Sequence, residues 1–292
     1  MLESLPLVSV YIPTHNRSRL LQRAVLSVVE QTYRPLEVLV CDDGSSDDTR
    51  QIVSSLQAAG SERGVAIRYF RNEKPLGACV ARNLGIRAAA GTFVTGLDDD
   101  DVFHPSRIEK LVSYYDSAYS GIASKIVNRQ GDIDFKDIKS IPVGSGKIEL
   151  VGNDRLLFQN ILGSQLLMRT ERLQALGGFD ENFKAWQDYD TWVRAVDAFG
   201  PAQLLDLELY YSDVSEERPR LTNSVNRRIG ARQFARKHRL KMTRAQLKNY
   251  RLSYKLLSEQ NFSIAWLIKN FEIRSLKSWI KLCLRKLNKS RW

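Results

Sequence analysis

Four consecutive carboxylates, Asp98 to Asp101, directly follow an apolar run at residues 92–97. Adjacent acids repel one another, so a folded protein must offset the repulsion with a nearby cation or with hydrogen bonds. Carboxylate oxygens suit Mg²⁺ or Mn²⁺, which proteins often hold with one or two carboxylates and the phosphates of a substrate. The acids therefore indicate a site for a metal ion and a diphosphate. The alternative is a solvated acidic turn before the next helix.

A second acidic segment, DDGSSD at residues 42–47, also follows an apolar run. One of its carboxylates could accept a hydrogen bond from the imide N–H of a uracil, and Gly44 would let the backbone come close to a ligand. The pattern is equally typical of a turn closed by an Asp side chain before a helix. Asp47 or Asp48 is the predicted N-cap of that helix.

A third segment, WQDYD at residues 186–190, opens a predicted helix shortly after GGFD at residues 177–180. An acid beside Trp186 and Tyr189 is a candidate general base, because partial desolvation raises the proton affinity of a carboxylate. The alternative is an acid that only interacts favourably with the N-terminus of the helix.

The cysteines and histidines indicate no further site. The three cysteines are an odd number without a CxxC spacing, which excludes a disulfide framework and a cysteine-rich zinc site and favours a reducing compartment. The histidines, His15, His104 and His238, are too scattered for a metal trio and are expected at surface or capping positions.

Short apolar strands that alternate with amphipathic helices position the first two acidic segments. This alternation predicts a doubly wound parallel sheet, in which ligands bind where strands end. The loops after Ile12, Cys41 and Leu97 are therefore the expected binding region. The predicted strands cover residues 7–12, 37–41, 67–70 and 92–97, and the predicted helices cover residues 18–31, 49–59 and 77–90.

The alternation weakens beyond Asp101. Residues 131–147 are predicted to form a loop or hairpin with little core, and the polar residues 212–224 a mobile loop. Three helices, interrupted near residues 241–243 and 260–262, are expected from Val225 onward. The other predicted strands cover residues 121–129, 164–168 and 203–211, and the other helices cover residues 105–115, 153–159, 170–176 and 187–199.

The chain has the composition of an ordinary folded protein, with 292 residues of which 43% are hydrophobic and 26% charged. Its net charge of +11 comes from one end, because residues 227–292 carry 19 Lys and Arg against two acids, whereas residues 1–226 carry a net −6. No run reaches the roughly 18 apolar residues of a membrane span, and residues 1–6 lack the pattern of a secretory signal. We expect a cytoplasmic protein, peripheral on the inner face of the cell membrane.

Six segments, in their order and spacing, resemble the family 2 inverting glycosyltransferases of the GT-A fold. The resemblance covers about residues 6–211 and implies a doubly wound mixed α/β sheet with a C-terminal helical appendage. The segments are VSVYIPTHNR at 8–17, EVLVCDDGSSDDT at 37–49, GACVARNLGI at 77–86, FVTGLDDDD at 93–101, GGFDENF at 177–183 and QDYDTWVRA at 187–195.

The same resemblance implies a division of the chain. Residues 1–211 would form the catalytic domain, with a nucleotide-binding half at residues 1–101 and an acceptor-binding half at residues 102–211. Residues 212–224 would be a mobile loop, and residues 225–292 a basic helical region.

The resemblance also implies the ligands of a nucleotide sugar. Asp43 matches the carboxylate that contacts uracil, and Asp98 and Asp100 match the DxD motif that binds a divalent cation, Mn²⁺ or Mg²⁺. Because four acids are consecutive, the register of this motif is open by one residue. The residues implied to bind the nucleotide sugar are Pro13, Thr14, Asp42, Asp43, Arg82, Asn83, Asp98 and Asp99.

Asp188 matches the catalytic base of the family, and Gln187 stands where the family usually has Glu. In the implied mechanism this base deprotonates the acceptor hydroxyl as it attacks the anomeric carbon, opposite the departing diphosphate. The implied donor is a UDP-sugar, UDP-glucose or UDP-galactose, and the implied acceptor is a polyprenyl-diphosphate saccharide of O-antigen or capsule assembly.

Two functions are alternatives to a glycosyltransferase. A nucleotidyltransferase also uses acids and a metal, but it would need a glycine-rich loop that residues 13–17 lack. A non-catalytic nucleotide-sugar binding module would bind UDP without turnover.

The basic C-terminal region has two interpretations. It could lie on an anionic membrane surface, or its apolar side could pack on the catalytic domain. Nucleic acid binding would fit the charge alone, and since no motif supports it we expect no nucleic acid partner. The apolar side of the last helix comprises Ile273, Leu276, Ile280, Cys283, Leu284 and Leu287, with Trp279 and Trp292 as candidate interface anchors.

Overall fold

Strands and helices alternate along the first part of the chain, as the sequence predicts. The computed structural model describes residues 5–130, 133–214, 224–258, 263–273 and 276–289. Within these ranges the strands are β1 (Val8–Thr14), β2 (Leu36–Asp42), β3 (Val65–Arg71), β4 (Phe93–Gly96), β5 (Val102–Phe103), β6 (Ile122–Arg129), β7 (Ile148–Val151), β8 (Met168–Arg169) and β9 (Ala202–Asp213).

Helices of very different length connect these strands and follow them. The helices in the described ranges are α1 (Ser18–Val29), α2 (Thr49–Glu62), α3 (Ala78–Ala88), α4 (Arg107–Tyr114), α5 (Phe135–Lys139), α6 (Asn153–Leu156), α7 (Thr170–Ala175), α8 (Gln187–Phe199), α9 (Ser224–His238), α10 (Arg244–Ser258), α11 (Ile264–Lys269) and α12 (Leu276–Lys289). A 3₁₀ turn, Arg239–Lys241, separates α9 from α10. None of the described helices is both long enough and apolar enough to span a lipid bilayer.

The main sheet has the strand order β3-β2-β1-β4-β8, and only β8 runs antiparallel to its neighbour. β1 and β2 are buried at every position, because helices cover both faces of the sheet. On one face Val10 shares a cluster with Leu21 of α1 and Val53 of α2. On the other face Tyr11 shares a cluster with Trp192 of α8. The predicted doubly wound arrangement is therefore confirmed.

A second sheet, with the order β5-β9-β6 and with β7 paired to β9, carries the rest of the strands. β6 is parallel to β9, whereas β5 and β7 are antiparallel to it, so the fold is mixed. Ile122 and Leu167 join the two sheets by reciprocal backbone hydrogen bonds of 2.8 and 2.9 Å. The acidic loop, defined as Asp98 to Asp101, connects β4 of the first sheet with β5 of the second.

The segment at residues 131–147 differs from its prediction. Within the described residues 133–147 it contains α5, and Ile133 and Ile138 are buried against Val102 and Tyr211. The prediction of little core was wrong, because the apolar residues spaced along this polar segment, Ile133, Phe135, Ile138 and Ile141, pack in one cluster with Val102 of β5. β5 and β7, of two and four residues, also escaped prediction, and the strand predicted at residues 164–168 is reduced to β8.

The C-terminal helices pack on the part of the chain that precedes them. Phe234 of α9 stacks on Tyr189 of α8 with ring centroids 4.2 Å apart, and Gln246 of α10 donates from Nε2 to the Asp154 carbonyl at 2.9 Å. In the described residues of this region four helices stand where three were predicted, since the last one is divided into α11 and α12. Residues 215–223 of the predicted mobile loop and the predicted break at residues 260–262 lie outside the described residues. The domain boundaries stay a prediction.

Candidate functional site

A pocket of about 230 Å³ opens beside the carboxyl end of β4. It brings together three of the predicted site residues, Arg82 of α3, Asp98 of the acidic loop and Asp188 of α8. This is the edge where a doubly wound sheet binds ligands. The pocket lining comprises Arg82, Asp98, Ser164, Gln165, Phe179, Trp186, Gln187 and Asp188.

The four consecutive acids are not equivalent in the structure. The side chains of Asp98 and Asp100 are 27% and 28% exposed, whereas the Asp99 side chain is 8% exposed. Asp101 is buried and accepts hydrogen bonds from the Tyr210 hydroxyl at 2.6 Å and from the Asp213 backbone N–H at 3.0 Å. Exposed and buried acids thus alternate, which contradicts a uniformly solvated turn. Asp98 and Asp100 are the two that can face a ligand.

Two arginines offset the charge of the acidic loop. Arg82 donates from Nη2 to Asp98 Oδ1 at 2.7 Å. Arg17 donates from Nη1 to Asp99 Oδ1 and to Asp100 Oδ2, each at 3.0 Å. Burial nevertheless raises the pKa of Asp99 to about 7, against the lowering effect of Arg17. No role of its own was predicted for Arg17, although it ends the first of the matching segments.

The acidic loop suits a divalent cation that is shared with a ligand. No group of three His, Cys, Asp or Glu side chains in the described ranges could hold a metal ion by itself. Asp98 and Asp100 present partly exposed hard oxygens, and such carboxylates hold Mg²⁺ or Mn²⁺ when phosphates and water supply the other ligands. The donor set therefore fits the implied cation.

Asp42 and Asp43 have different surroundings at the end of β2. Asp42 is fully buried, and its carboxylate accepts hydrogen bonds from the Ser45 N–H at 2.8 Å, the Tyr69 hydroxyl and Arg71 Nη1 at 3.2 Å. These bonds form the turn that was the alternative interpretation of the segment. We assign Asp42 a positioning role, because it has no exposed surface for a nucleotide.

Asp43 ties its own loop to the segment that precedes α3. Its Oδ1 accepts from Asn72 Nδ2 and the Leu76 N–H, both at 2.8 Å, and its Oδ2 accepts from the Gly77 N–H at 2.7 Å. A carboxylate has about four acceptor positions, so Oδ2 retains capacity for one further donor. At Gly44, with φ +73°, a Cβ atom would lie 2.9 Å from the Lys74 backbone, so glycine allows this close contact. The approach of a ligand to the Gly44 backbone stays a prediction.

Arg82 and Asn83 are adjacent on α3 but serve different contacts. The guanidinium of Arg82 lies 5.5 Å from the centre of the Phe179 ring at the pocket, and its Nε and Nη1 are buried without a hydrogen-bond partner. Asn83 accepts from the Phe179 N–H at 2.8 Å and donates to the Phe179 carbonyl at 2.9 Å. Asn83 therefore holds the wall of the pocket, and only Arg82 is available to a ligand.

Pro13 and Thr14 end β1 and are buried. Pro13 is paired in register with Cys41, and Thr14 donates from Oγ1 to Asp99 Oδ2 at 2.8 Å. Thr14 thus orients the inner acid of the loop. Both residues lie at the predicted strand end, outside the lining of the pocket.

Asp188 lies in the first turn of α8 and faces the pocket. Burial raises its pKa to about 6, and the charge of Asp98 adds to this increase while that of Arg82 opposes it. Asn160 donates from Nδ2 to Asp188 Oδ2 at 3.0 Å and to the Gly163 carbonyl at 3.2 Å. One carboxylate oxygen is thereby fixed. Asn160 was not predicted from the sequence, because it belongs to no motif and stands 28 residues before Asp188.

Asp190, on the same helix, faces away from the pocket. Burial alone would raise its pKa, but hydrogen bonds from His238 and Lys237 and the charge of Arg194 outweigh burial and lower the pKa to about 2. His238 is itself buried, 2.8 Å from Asp190, so the expectation of a surface or capping histidine was wrong for it. Asp190 is therefore a structural acid that fixes α9 to α8.

Trp186 and Gln187 complete the pocket next to Asp188. Trp186 adopts a left-handed backbone conformation with φ 66°, which is strained for a bulky residue and recurs at functional sites. Gln187 Oε1 is buried without a hydrogen-bond partner. A buried carboxamide oxygen of this kind is available to a hydroxyl group of a ligand.

The chain is similar in sequence to a known family and to several known proteins. A family model described as glycosyl transferase family 2 matches residues 9–177. The chain is 30% identical over 264 residues to the putative colanic acid biosynthesis glycosyl transferase WcaA of Escherichia coli (strain K12), an alignment that covers 89% of this chain and 91% of WcaA. It is 34% identical over 131 residues to the GalNAc(5)-diNAcBac-PP-undecaprenol beta-1,3-glucosyltransferase of Campylobacter jejuni, an alignment that covers 44% of this chain and 41% of that enzyme.

Solved structures share the fold at low sequence identity. The structure of S. aureus TarS 1-349 in complex with UDP-GlcNAc matches with a TM-score of 0.62 and 19% identity, over 94% of this chain and 78% of that one. The mannosyltransferase PcManGT from Pyrobaculum calidifontis, in complex with GDP-Man and Mn²⁺, matches with a TM-score of 0.55 and 19% identity, over 94% of this chain and 69% of that one. These likenesses confirm the predicted fold.

Proposed function

The chain belongs to glycosyl transferase family 2, and from that premise we propose that it transfers a hexose from a UDP-sugar to a hydroxyl group of a lipid-linked saccharide. The product would be a precursor of an O-antigen or capsule polysaccharide. The proposal rests on one observation above the others. Asp188, a carboxylate whose pKa is raised to about 6, lines the same pocket as Asp98 and Arg82.

Asp188 is the proposed general base. A base works best when its pKa lies near the working pH, since it is then both ionised and able to take a proton. Asn160 occupies one acceptor position on Oδ2 of this carboxylate, and we assign a remaining acceptor position of the carboxylate to the proton of the acceptor hydroxyl. Asp190 is not available for this role, because its own pKa is lowered and three cationic or ring nitrogen groups surround it.

We assign donor binding to cationic and acidic groups that line the pocket or belong to the neighbouring strand-end loops. Arg82 would contact the diphosphate with its unpartnered nitrogens, and Asp43 Oδ2 would accept the uracil imide N–H. Asp98 and Asp100 would hold a divalent cation, which neutralises negative charge that develops on a departing diphosphate. A hydroxyl that is deprotonated at Asp188 attacks the anomeric carbon while the bond to the diphosphate breaks. One displacement of this kind inverts the configuration of the sugar.

A lipid-linked acceptor is supported by the name of the Campylobacter jejuni relative, which acts on a PP-undecaprenol saccharide. A UDP-sugar donor is supported by the TarS structure with UDP-GlcNAc. Between UDP-glucose and UDP-galactose, we expect side chains of residues 121–163 to select the sugar. A lipid-linked acceptor would place the reaction at the cytoplasmic face of the membrane.

The experiment is a donor screen that measures UDP release with Mn²⁺ and a synthetic GlcNAc-diphosphate-lipid. We expect turnover with one UDP-hexose and a β-linked product from the α-linked donor, read from the anomeric coupling in proton NMR. The Asp188→Asn variant is the matched inactive control. Intact UDP-sugar after long incubation with a panel of acceptors would indicate a binding module, and release of pyrophosphate would indicate a nucleotidyltransferase.

A further inference from the structure

The C-terminal helices expose an unusual concentration of apolar side chains. Seven large apolar residues are exposed within residues 264–284, against four within residues 5–214. Single exposed apolar residues are normal on a soluble protein, whereas a concentration of them marks an interaction site. The C-terminal apolar surface is defined as Ile264, Ile268, Phe271, Ile273, Leu276, Ile280 and Leu284.

These residues are exposed although the same helices have a small core of their own. Leu252 of α10, Leu267 of α11 and Leu282 of α12 are buried together, and Trp279 donates from Nε1 to the Leu267 carbonyl at 3.1 Å. The three exposed residues of α12 recur at every fourth position, on the side away from Leu282. The predicted apolar stripe is therefore divided between a packed side and an exposed side. The side chain of Leu287, and all of Trp292, lie outside the described residues.

Positive charge accompanies the C-terminal apolar surface. Residues 263–292 contain eight Lys and Arg, with Glu272 as the single acid. Lys269 follows Ile268 and Lys281 follows Ile280, and both lysines are exposed. An anionic lipid bilayer provides phosphate groups for such lysines and acyl chains for the neighbouring apolar residues.

We propose that the C-terminal apolar surface binds the surface of an anionic phospholipid bilayer, with its isoleucine and leucine side chains in the interfacial layer and its lysines at the phosphates. A second copy of the chain fits less well, because a symmetric contact would place two strongly basic surfaces against each other. A nucleic acid would use the lysines and leave the apolar residues in water.

A series of contacts connects the C-terminal apolar surface with the loop that carries Asn160. α12 packs on α10 through Leu252 and Leu282, and α10 donates from Asn249 Nδ2 to the Phe158 carbonyl, two residues before Asn160. Binding would hold the pocket near the bilayer. Only this last step rests on the proposed function, and the lipid binding itself does not.

The test is co-sedimentation of the full chain with vesicles of phosphatidylglycerol and phosphatidylethanolamine, and with vesicles of phosphatidylcholine alone. The test variant is Ile268→Glu with Ile280→Glu. The control is Leu150→Glu with Leu240→Glu, which places the same charges at exposed apolar positions outside the surface. We expect the wild type and the control to bind anionic vesicles. The test variant should bind them at least about tenfold more weakly. Higher salt should weaken the binding of the wild type, because lysine contacts are screened.

Other outcomes would overturn the proposal. If both double variants lose vesicle binding equally, the added negative charge and not the apolar surface is the cause. If the wild type binds phosphatidylcholine vesicles as well as anionic ones, the lysines do not contribute to binding. A wild-type dimer in light scattering that the Ile268 and Ile280 changes dissociate, without vesicle binding, would identify a second copy as the partner. Tight binding of duplex DNA or RNA that survives these changes would identify a nucleic acid. Circular dichroism and thermal unfolding of each variant show whether the fold is retained.

Discussion

Asp188 and Asp190 lie two residues apart on α8 and point in different directions, one toward the pocket and the other toward α9. Residues at this spacing occupy different faces of a helix, so their environments are independent. Burial raises the pKa of Asp188 to about 6, while the partners of Asp190 overcome burial and lower its pKa to about 2. Two carboxylates of one helical turn thereby differ in proton affinity, which fits one as the proposed general base and the other as a structural acid.

Replacing Asp188 by Asn should reduce kcat by roughly a hundredfold or more, because the amide cannot take a proton. UDP binding, measured by calorimetry, should be unchanged. In the wild type, kcat should rise with pH through about 6, as the carboxyl group of Asp188 loses its proton. Near-normal turnover of the variant, or a flat pH profile, would contradict the assignment.

The same variant should be more stable than the wild type at pH 7. The folded-state pKa of Asp188, about 6, lies above the value of about 3.9 for an unfolded Asp. The folded protein therefore holds the proton more tightly, and this contribution to stability is lost as the pH rises through 6. Asn cannot ionise and avoids that loss, so its melting temperature at pH 7 should be higher, by roughly 2 °C for each kcal/mol in a chain of this size. The difference should become small at pH 4.

Asp190→Asn should destabilise the fold, because it leaves Arg194 and His238 beside a neutral group. Loss of one partner from a buried charge cluster costs about 3–5 kcal/mol, and the free energy of unfolding in urea measures it. The pKa of Asp190 is lowered to about 2, so this stability is present above the unfolded value of about 3.9 and is lost as the pH falls toward 2. The difference between variant and wild type should therefore be larger at pH 7 than at pH 2. A constant difference would show that charge is not the cause.

Asn160→Ala should change the pKa of Asp188 and should leave binding of the UDP-sugar donor unchanged. Without the hydrogen bond to Oδ2, the charged form of Asp188 loses support, so its pKa should rise and the acid limb of the kcat profile should move to higher pH. We expect a loss in kcat of about tenfold with the KM for UDP-sugar unchanged. The control is Gln159→Ala, at the exposed position directly before Asn160. An equal effect of the control would indicate a general disturbance of the loop.

Asp100→Ala and Asp101→Ala should fail in different ways. Asp100→Ala should abolish the Mn²⁺ dependence of UDP binding, because it deletes a proposed ligand of the cation. Asp101→Ala should keep that dependence but lower the free energy of unfolding by about 1–3 kcal/mol, since the Tyr210 hydroxyl and the Asp213 N–H lose a buried acceptor. Calorimetry with and without Mn²⁺ and urea unfolding separate the two. Loss of the Mn²⁺ dependence in both variants would refute this division.

Structure could be predicted from the sequence where an apolar pattern repeats. It could not be predicted where residues of one type differ only in the direction of their side chains. The helix predicted at residues 187–199 has the observed ends, because its apolar positions are regular and Gly200 follows it. The four acids, by contrast, are one residue type in a row. Tyr210, which stands 109 residues from Asp101, decides that Asp101 is internal, and no local pattern contains that information.

Arg17 bridges Asp99 and Asp100 with two hydrogen bonds of 3.0 Å. Since this cation belongs to the chain itself, the acidic loop has a counterion as soon as the protein folds. We expect a chelator such as EDTA to suppress transfer while it leaves the melting temperature unchanged. The concentration of divalent cation in the cell would then control the activity of the folded protein. The quantity of folded protein would not depend on the cation.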